Sequence, residues 1–172
     1  MDTKTGTATE TNRPTDTASL RTVFTHPDAV LAIKATVAAF AVFGVGTGLS
    51  GYALLATVAG GGSVVSYTQA FLGVALVGGV TVTGPVLAGA FALRADPTLA
   101  ELDDRRRYAT LAVAGFVGYV AYAFLATVLI SVPSNGDSAV NVGRYLVPFV
   151  LGGVGSAVVG AGVVFVRSWL LD

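Results

Sequence analysis

"AAFAVFGVGTGLSGYALL", Ala38 to Leu55, decides how this chain is read. Inside it, Gly46, Gly48 and Gly51 spell G-x-G-x-x-G, the glycine pattern of a dinucleotide-binding turn. Such a turn needs a strand before it, a helix whose N-terminus faces the pyrophosphate, and an acid about 20 residues further on. No Asp or Glu occurs between Asp28 and Asp96, and the glycines lie in the middle of a long uncharged run. The run is therefore a membrane-spanning helix. Its glycines are read as places where another helix comes close, with Gly44 and Gly48 forming G-x-x-x-G.

The rest of the sequence agrees. Of 172 residues, 53% are apolar and 12% charged, about half the charged share of an ordinary soluble domain. Mean hydropathy is +0.74. Charges are absent from the windows 35–69, 70–93, 108–131 and 145–166. A helix rising about 1.5 Å per residue crosses a hydrocarbon core of about 30 Å in about 20 residues, so each window is long enough. The fold class expected is all-α, an integral membrane protein with four transmembrane helices. The spans are placed at about 33–59, 69–93, 108–132 and 145–167. No cysteine is present, which removes disulfides and thiol chemistry. Arginine outnumbers lysine eight to two and isoleucine occurs only twice among many Val, Ala and Gly. With the Thr/Asp-bearing tail, that mix resembles small multi-span membrane proteins of halophilic archaea. The resemblance is one of composition and implies no activity.

Residues 1–25 hold nine threonines and almost nothing apolar, which predicts a disordered cytoplasmic tail rather than a signal peptide. Pro27 suits the first position of helix 1, and Gly60, Gly61 and Gly62 end that helix. Pro85 in helix 2 predicts a kink, and "PSNGDS" (133–138) a turn before helix 4. Nine of the ten basic residues fall on one side of this topology and only Arg144 on the other. The expectation is a multi-pass protein of the cell membrane with both termini cytoplasmic.

An internal repeat is also expected. "GYALLATV" (51–58) and "AYAFLATV" (121–128) share six of eight residues at an offset of 70, including Tyr52 with Tyr122 and Thr57 with Thr127. The same offset carries Gly48 onto Gly118 and Pro27 onto Pro97; further on, an offset of 74 carries Gly78-Gly79-Val80 onto Gly152-Gly153-Val154 and Phe91 onto Phe165. Chance likeness between hydrophobic helices is the alternative. Duplication predicts two tandem hairpins, 26–94 and 108–172, joined by a cytoplasmic connector, 95–107. Their pseudo-two-fold axis would run along the membrane normal and place Tyr52 and Tyr122 at matching depth.

No ionisable residue lies in the central part of a span, which removes the usual acid–base and ion-relay chemistry. No enzyme, cofactor, metal or nucleic-acid partner is expected. Small residues supply helix-packing faces: Gly44, Gly48, Gly118, Gly152, Ser156 and Gly160. Tyr52, Tyr122, Thr57 and Thr127 are the candidates for lining a cavity or for bonds between helices, with Thr47, Ser50, Thr81, Thr83 and Tyr119 as further hydroxyls. In the connector, Asp96 is placed to cap a helix starting at Pro97. Glu101 with Arg105 and Asp103 with Arg107 would then pair along one long helix 3. Arg105, Arg106 and Arg107 would stand at headgroup level, each gaining about 1 kcal/mol from anionic lipid. Two functions follow. One is a non-enzymatic membrane protein acting through helix packing, either self-associating or as a subunit of a membrane complex. The other is a small passive transporter or channel between the two hairpins.

Overall fold

The computed structural model describes residues 25–58, 64–131 and 142–171. The tail 1–24, the Gly60–Gly62 break and the "PSNGDS" turn lie outside the described residues. Four long helices make up almost all of the rest: α1 (Pro27–Val58), α2 (Val64–Ala95), α3 (Asp104–Ser131) and α4 (Val142–Leu171). All four are long and apolar enough to cross a membrane. The protein is all-α with four candidate transmembrane helices, and no strand forms among the described residues.

α1 starts where Pro27 allows: the His26 carbonyl accepts the first helical bond from the Val30 amide at 3.1 Å, and Asp28 sits in the first turn against the helix dipole. α2 runs as one helix through Pro85. The connector does not continue as one long helix from Pro97. It makes a short 3-10 turn at Asp96–Leu99, passes through 100–103, and α3 begins at Asp104 with the Asp103 carbonyl accepting from the Arg106 and Arg107 amides. The reason is apolar: Leu99 is fully buried and Leu102 nearly so, in a cluster with Ala29, Ala92, Leu111 and Val164. Burying two leucines draws the connector back across the end of the bundle instead of letting it project, at roughly 1.5–3 kcal/mol for each buried side chain.

Packing around the bundle runs α2–α4–α3–α1. The contact between α1 and α3 is the most extensive, and that between α1 and α2 is much slighter. α1 leans on α3 far more than on α2, the other helix of its own hairpin. Its glycines explain the choice. A Cβ at Gly44 would stand 2.8 Å from the Tyr122 carbonyl oxygen, and one at Gly48 would meet the Leu129 side chain at 2.6 Å and the Ala126 backbone at 3.2 Å. From the other side, Gly118 receives Phe40.

These contacts set the register. Gly44 lies opposite Tyr122 and Gly48 opposite Ala126, a constant separation of 78 along two parallel helices. The repeat requires 70. Eight residues amount to about 12 Å along a helix, so Tyr52 and Tyr122 do not sit at matching depth. On α2 and α4, Gly84 faces Ser156 and Gly160 faces Ala88, a separation of 72 against the expected 74. The two pairs depart from the repeat by different amounts and in opposite senses, so the proposed axis does not relate the packed halves. The likeness between 51–58 and 121–128 is a feature of sequence that packing does not follow.

Candidate functional site

Three places carry the polar and open features of the bundle: its midspan core, its connector end, and the seam between α1 and α2.

In the core, Tyr119 and Tyr122 of α3 are about 1% exposed and their rings lie 6.3 Å apart. Tyr122 meets Phe40 edge-on at 6.3 Å, and Phe40 in turn meets Phe91 of α2 at 5.5 Å. Tyr119 crosses the interior: its ring fills the space beside Gly84 on α2, and its hydroxyl reaches Gly152 on α4. That hydroxyl also hydrogen-bonds the Thr81 side chain. Ser156 is fully buried, close to where a Cβ on Gly84 would point, and its Oγ has no hydrogen-bond partner among the described residues. The Ser156 backbone carbonyl would stand 2.8 Å from a Cβ on Gly115, and Gly160 lies against the Leu111 carbonyl. Glycines and large aromatic rings thus fill one another's space at the centre.

The hydroxyls singled out in the sequence do not converge. Tyr122 is core, whereas Tyr52 is 40% exposed on the outer surface. Thr57 donates to the Leu54 carbonyl of its own helix at 2.8 Å, and Thr83 does the same to Gly79. Thr127 is half-buried, and its carbonyl accepts from Ser131. Thr47 and Ser50 line a groove between α1 and α2.

At the connector end, Asp96 does not cap a helix. Its buried carboxylate is held between two arginines: Oδ1 accepts from Arg107 at the start of α3, and Oδ2 from Arg167 at the end of α4 at 3.0 Å. Its side chain is only 6% exposed. Arg107 therefore spends its guanidinium on Asp96 rather than on its expected partner Asp103. Asp103 instead faces Arg106 at 3.4 Å. Beside this clamp the Tyr108 and Ser168 hydroxyls are 3.3 Å apart, and Tyr108 stands edge-on to Phe165. Of the three arginines assigned to headgroups, Arg105 and Arg106 are exposed and Arg107 is turned inward.

The described part of the α1–α2 seam carries two grooves. Near the connector, a groove of about 620 Å³ lies between the first turns of α1 and the last turns of α2, with Leu31, Ala35 and Phe91 on its walls and Asp28, Arg94 and Thr98 on its rim. Towards the other end, a groove of about 490 Å³ is lined by Phe43, Gly46, Thr47, Ser50 and Leu76. Phe43 and Phe91, with ring centroids 6.2 Å apart, hold the helices together between the two.

Sequence reasoning did not find the Asp96 clamp, because Arg167 lies 71 residues away. The available signal was an acid flush against the end of an uncharged window, where only a partner from another helix can neutralise it. Tyr119 was one hydroxyl among many; nothing local distinguishes it from Tyr122. No known family, curated protein or solved structure matches this chain.

Proposed function

We propose that the protein is a non-enzymatic component of the cell membrane that works through lateral contacts within the bilayer, by self-association or as a subunit of a membrane complex. The connector end faces the cytoplasm in this reading, supported by nine of the ten basic residues gathering with the connector and the two flanking termini. One observation carries the functional reading: the bundle fills its interior while leaving a seam open sideways. Gly44, Gly48, Gly84, Gly118 and Gly152 are all occupied by neighbouring helices, whereas Gly46, Gly78 and Gly79 on α1 and α2 face open space, as do Gly155 and Gly162 on α4. Around the open glycines of α1 and α2, Val42, Phe71, Val74 and Val82 are each 69–75% exposed. In lipid, burying small residues lets backbones approach closely, and that contact is what joins one helix to another. A path between the hairpins is disfavoured by the same geometry, since Tyr122, Phe40 and Gly118 occupy the meeting place of α1 and α3.

The absence of native cysteine gives a clean test. Gly46→Cys and Gly79→Cys variants in native membranes should form disulfide-linked dimers or a cross-link to a partner subunit. Val117→Cys, on the exposed face of α3, whose glycines are filled by neighbouring helices, should not. Equal cross-linking from all three positions would reduce the contact to random collision and remove the reading.

A further inference from the structure

The groove at the connector end differs from its counterpart further along the seam. It is not only apolar. Its walls are Leu31, Ala35 and Phe91, and its rim carries a cation, an anion and a hydroxyl: Arg94, Asp28 and Thr98. Leu31 is 67% exposed, so the groove opens to the side rather than into the bundle. It follows α1 from Asp28 to Thr36, about 12 Å at the helical rise. That reach starts at the level of the buried Asp96 clamp and ends in the apolar span. Its volume of about 620 Å³ falls within the range of roughly 300–1,000 Å³ of ordinary ligand pockets.

Charge supplies the second argument. Arg107 and Arg167 are committed to Asp96, but Arg94 has no ion-pair partner among the described residues and its exposed guanidinium lines the groove. The Thr98 hydroxyl already donates to the Ala95 carbonyl at 2.6 Å, so towards a ligand in the groove it can only accept. Asp28 lies 3.7 Å from His26 Nδ1, beyond hydrogen-bond distance, and its carboxylate is half exposed. The rim therefore presents one strong anion-binding group and two acceptors above an apolar slot.

We propose that this groove is a binding site for a single phospholipid of the connector-side leaflet. Arg94 takes the phosphate, and Asp28 accepts a hydrogen bond from a headgroup hydroxyl or ammonium. One acyl or isoprenoid chain lies along Leu31, Ala35 and Phe91. Guanidinium suits this work because its fork of donors matches a phosphate oxygen pair. The site is separate from the open glycine face invoked for association, so either reading can fail without the other.

The test uses the full-length protein, stripped of lipid in detergent and titrated by native mass spectrometry with phosphatidylglycerol, phosphatidylethanolamine, phosphatidylcholine and diacylglycerol. One phosphatidylglycerol or phosphatidylethanolamine should bind per chain. Phosphatidylcholine, which has no headgroup donor for Asp28, should bind more weakly, and diacylglycerol should not compete. Arg94→Gln should weaken phosphatidylglycerol binding about ten-fold or more, whereas the double change Arg105→Gln/Arg106→Gln should leave it nearly unchanged. Asp28→Asn should abolish the preference over phosphatidylcholine while retaining phosphate-dependent binding. Ala35→Trp, which fills the slot from its exposed wall, should remove binding of all three phospholipids without lowering the melting temperature. Three outcomes overturn the proposal: diacylglycerol binding as well as phosphatidylglycerol, Arg94→Gln binding like the parent, or the Arg105/Arg106 pair mattering as much as Arg94. A lipid-free protein whose groove is protected by a second copy or by its own first 24 residues would also overturn it.

Discussion

Two faces of α1 carry glycines a few residues apart and meet opposite fates. Gly44, Gly48 and Gly51 face α3 and lie against Tyr122, Leu129 and Ile130, while Gly46, between the first two, faces empty space. The G-x-x-x-G spacing is not what separates them. What matters is whether the facing helix brings side chains shaped to the gap. α3 brings Ala126 and Ala123 backed by long side chains at Leu125 and Leu129, so its ridges enter the glycine groove. α2 reaches α1 mainly through Phe91 and Leu76, two separated points with open grooves on either side. A glycine therefore permits a close approach without causing one.

The harshest way to break this contrast is to put a side chain on each face. Gly44→Leu must displace the Tyr122 backbone, which has no rotamer to yield. Overpacking of this kind costs typically about 1–3 kcal/mol and sometimes more; here the upper end or beyond is expected. Thermal unfolding in detergent should show a large drop for Gly44→Leu and a change within about 0.5 kcal/mol for Gly46→Leu. Similar losses for both would mean that α1 and α2 close together in the folded protein and that the seam is not open.

The clamp offers the next largest effect, because it ties the bundle's two sides at the connector end. Breaking a buried ion pair by removing one member costs about 3–5 kcal/mol when the survivor stays buried. Asp96→Ala leaves Arg107 17% exposed and Arg167 43% exposed, so part of that cost is relieved by water, and a loss of about 2–3 kcal/mol is expected. Arg107→Ala should cost more than Arg167→Ala, since the more exposed member of the pair is better screened. The reverse order, measured by denaturation of the detergent-solubilised protein, would place the main restraint on α4.

The spans were legible because hydrocarbon imposes a length and forbids charge, so uncharged windows alone place α1 to α4 within a few residues. Which helix packs on which was not legible. A membrane span is apolar all round, and the periodicity that marks a buried face in a soluble helix is lost. The repeat suffered from the same blindness: Tyr52 and Tyr122 share their neighbours in sequence, yet one faces outward and the other fills the core. The connector misled for a different reason. "DPTLAELDDRRR" has good helix-start residues and good i,i+4 pairs, but local propensity lost to the burial of Leu99 and Leu102 and to a carboxylate wanted by two helices at once.

A smaller effect tests the core hydroxyls. Tyr119→Phe keeps the ring between Gly84 and Gly152 and removes only the hydrogen bond with Thr81. Bonds between helices in membranes average about 0.6 kcal/mol with a maximum near 1.7, so a modest loss is expected. Tyr52→Phe, on the outer surface, should be neutral. Any loss at Tyr52 comparable to that at Tyr119 would argue that the sequence likeness of the two halves does carry over into structure.

The smallest expected effect has the most informative sign. Ser156 buries its hydroxyl without a partner among the described residues, beside a glycine on α2. A polar atom left unpaired in an apolar interior is a cost, and removing it while keeping the Cβ is expected to be neutral or stabilising by up to about 1 kcal/mol. Ser156→Ala should therefore match or exceed the parent in thermal stability, making the central seam of α2, α3 and α4 a packed contact in which shape does the holding. If Ser156→Ala instead lowers stability, the hydroxyl has a partner in the membrane, and a water or a small polar solute between Gly84 and Ser156 becomes the simplest one. That result would turn the filled core into a wet one and move the search for a path away from Tyr52 and Tyr122, onto the α2–α4 face.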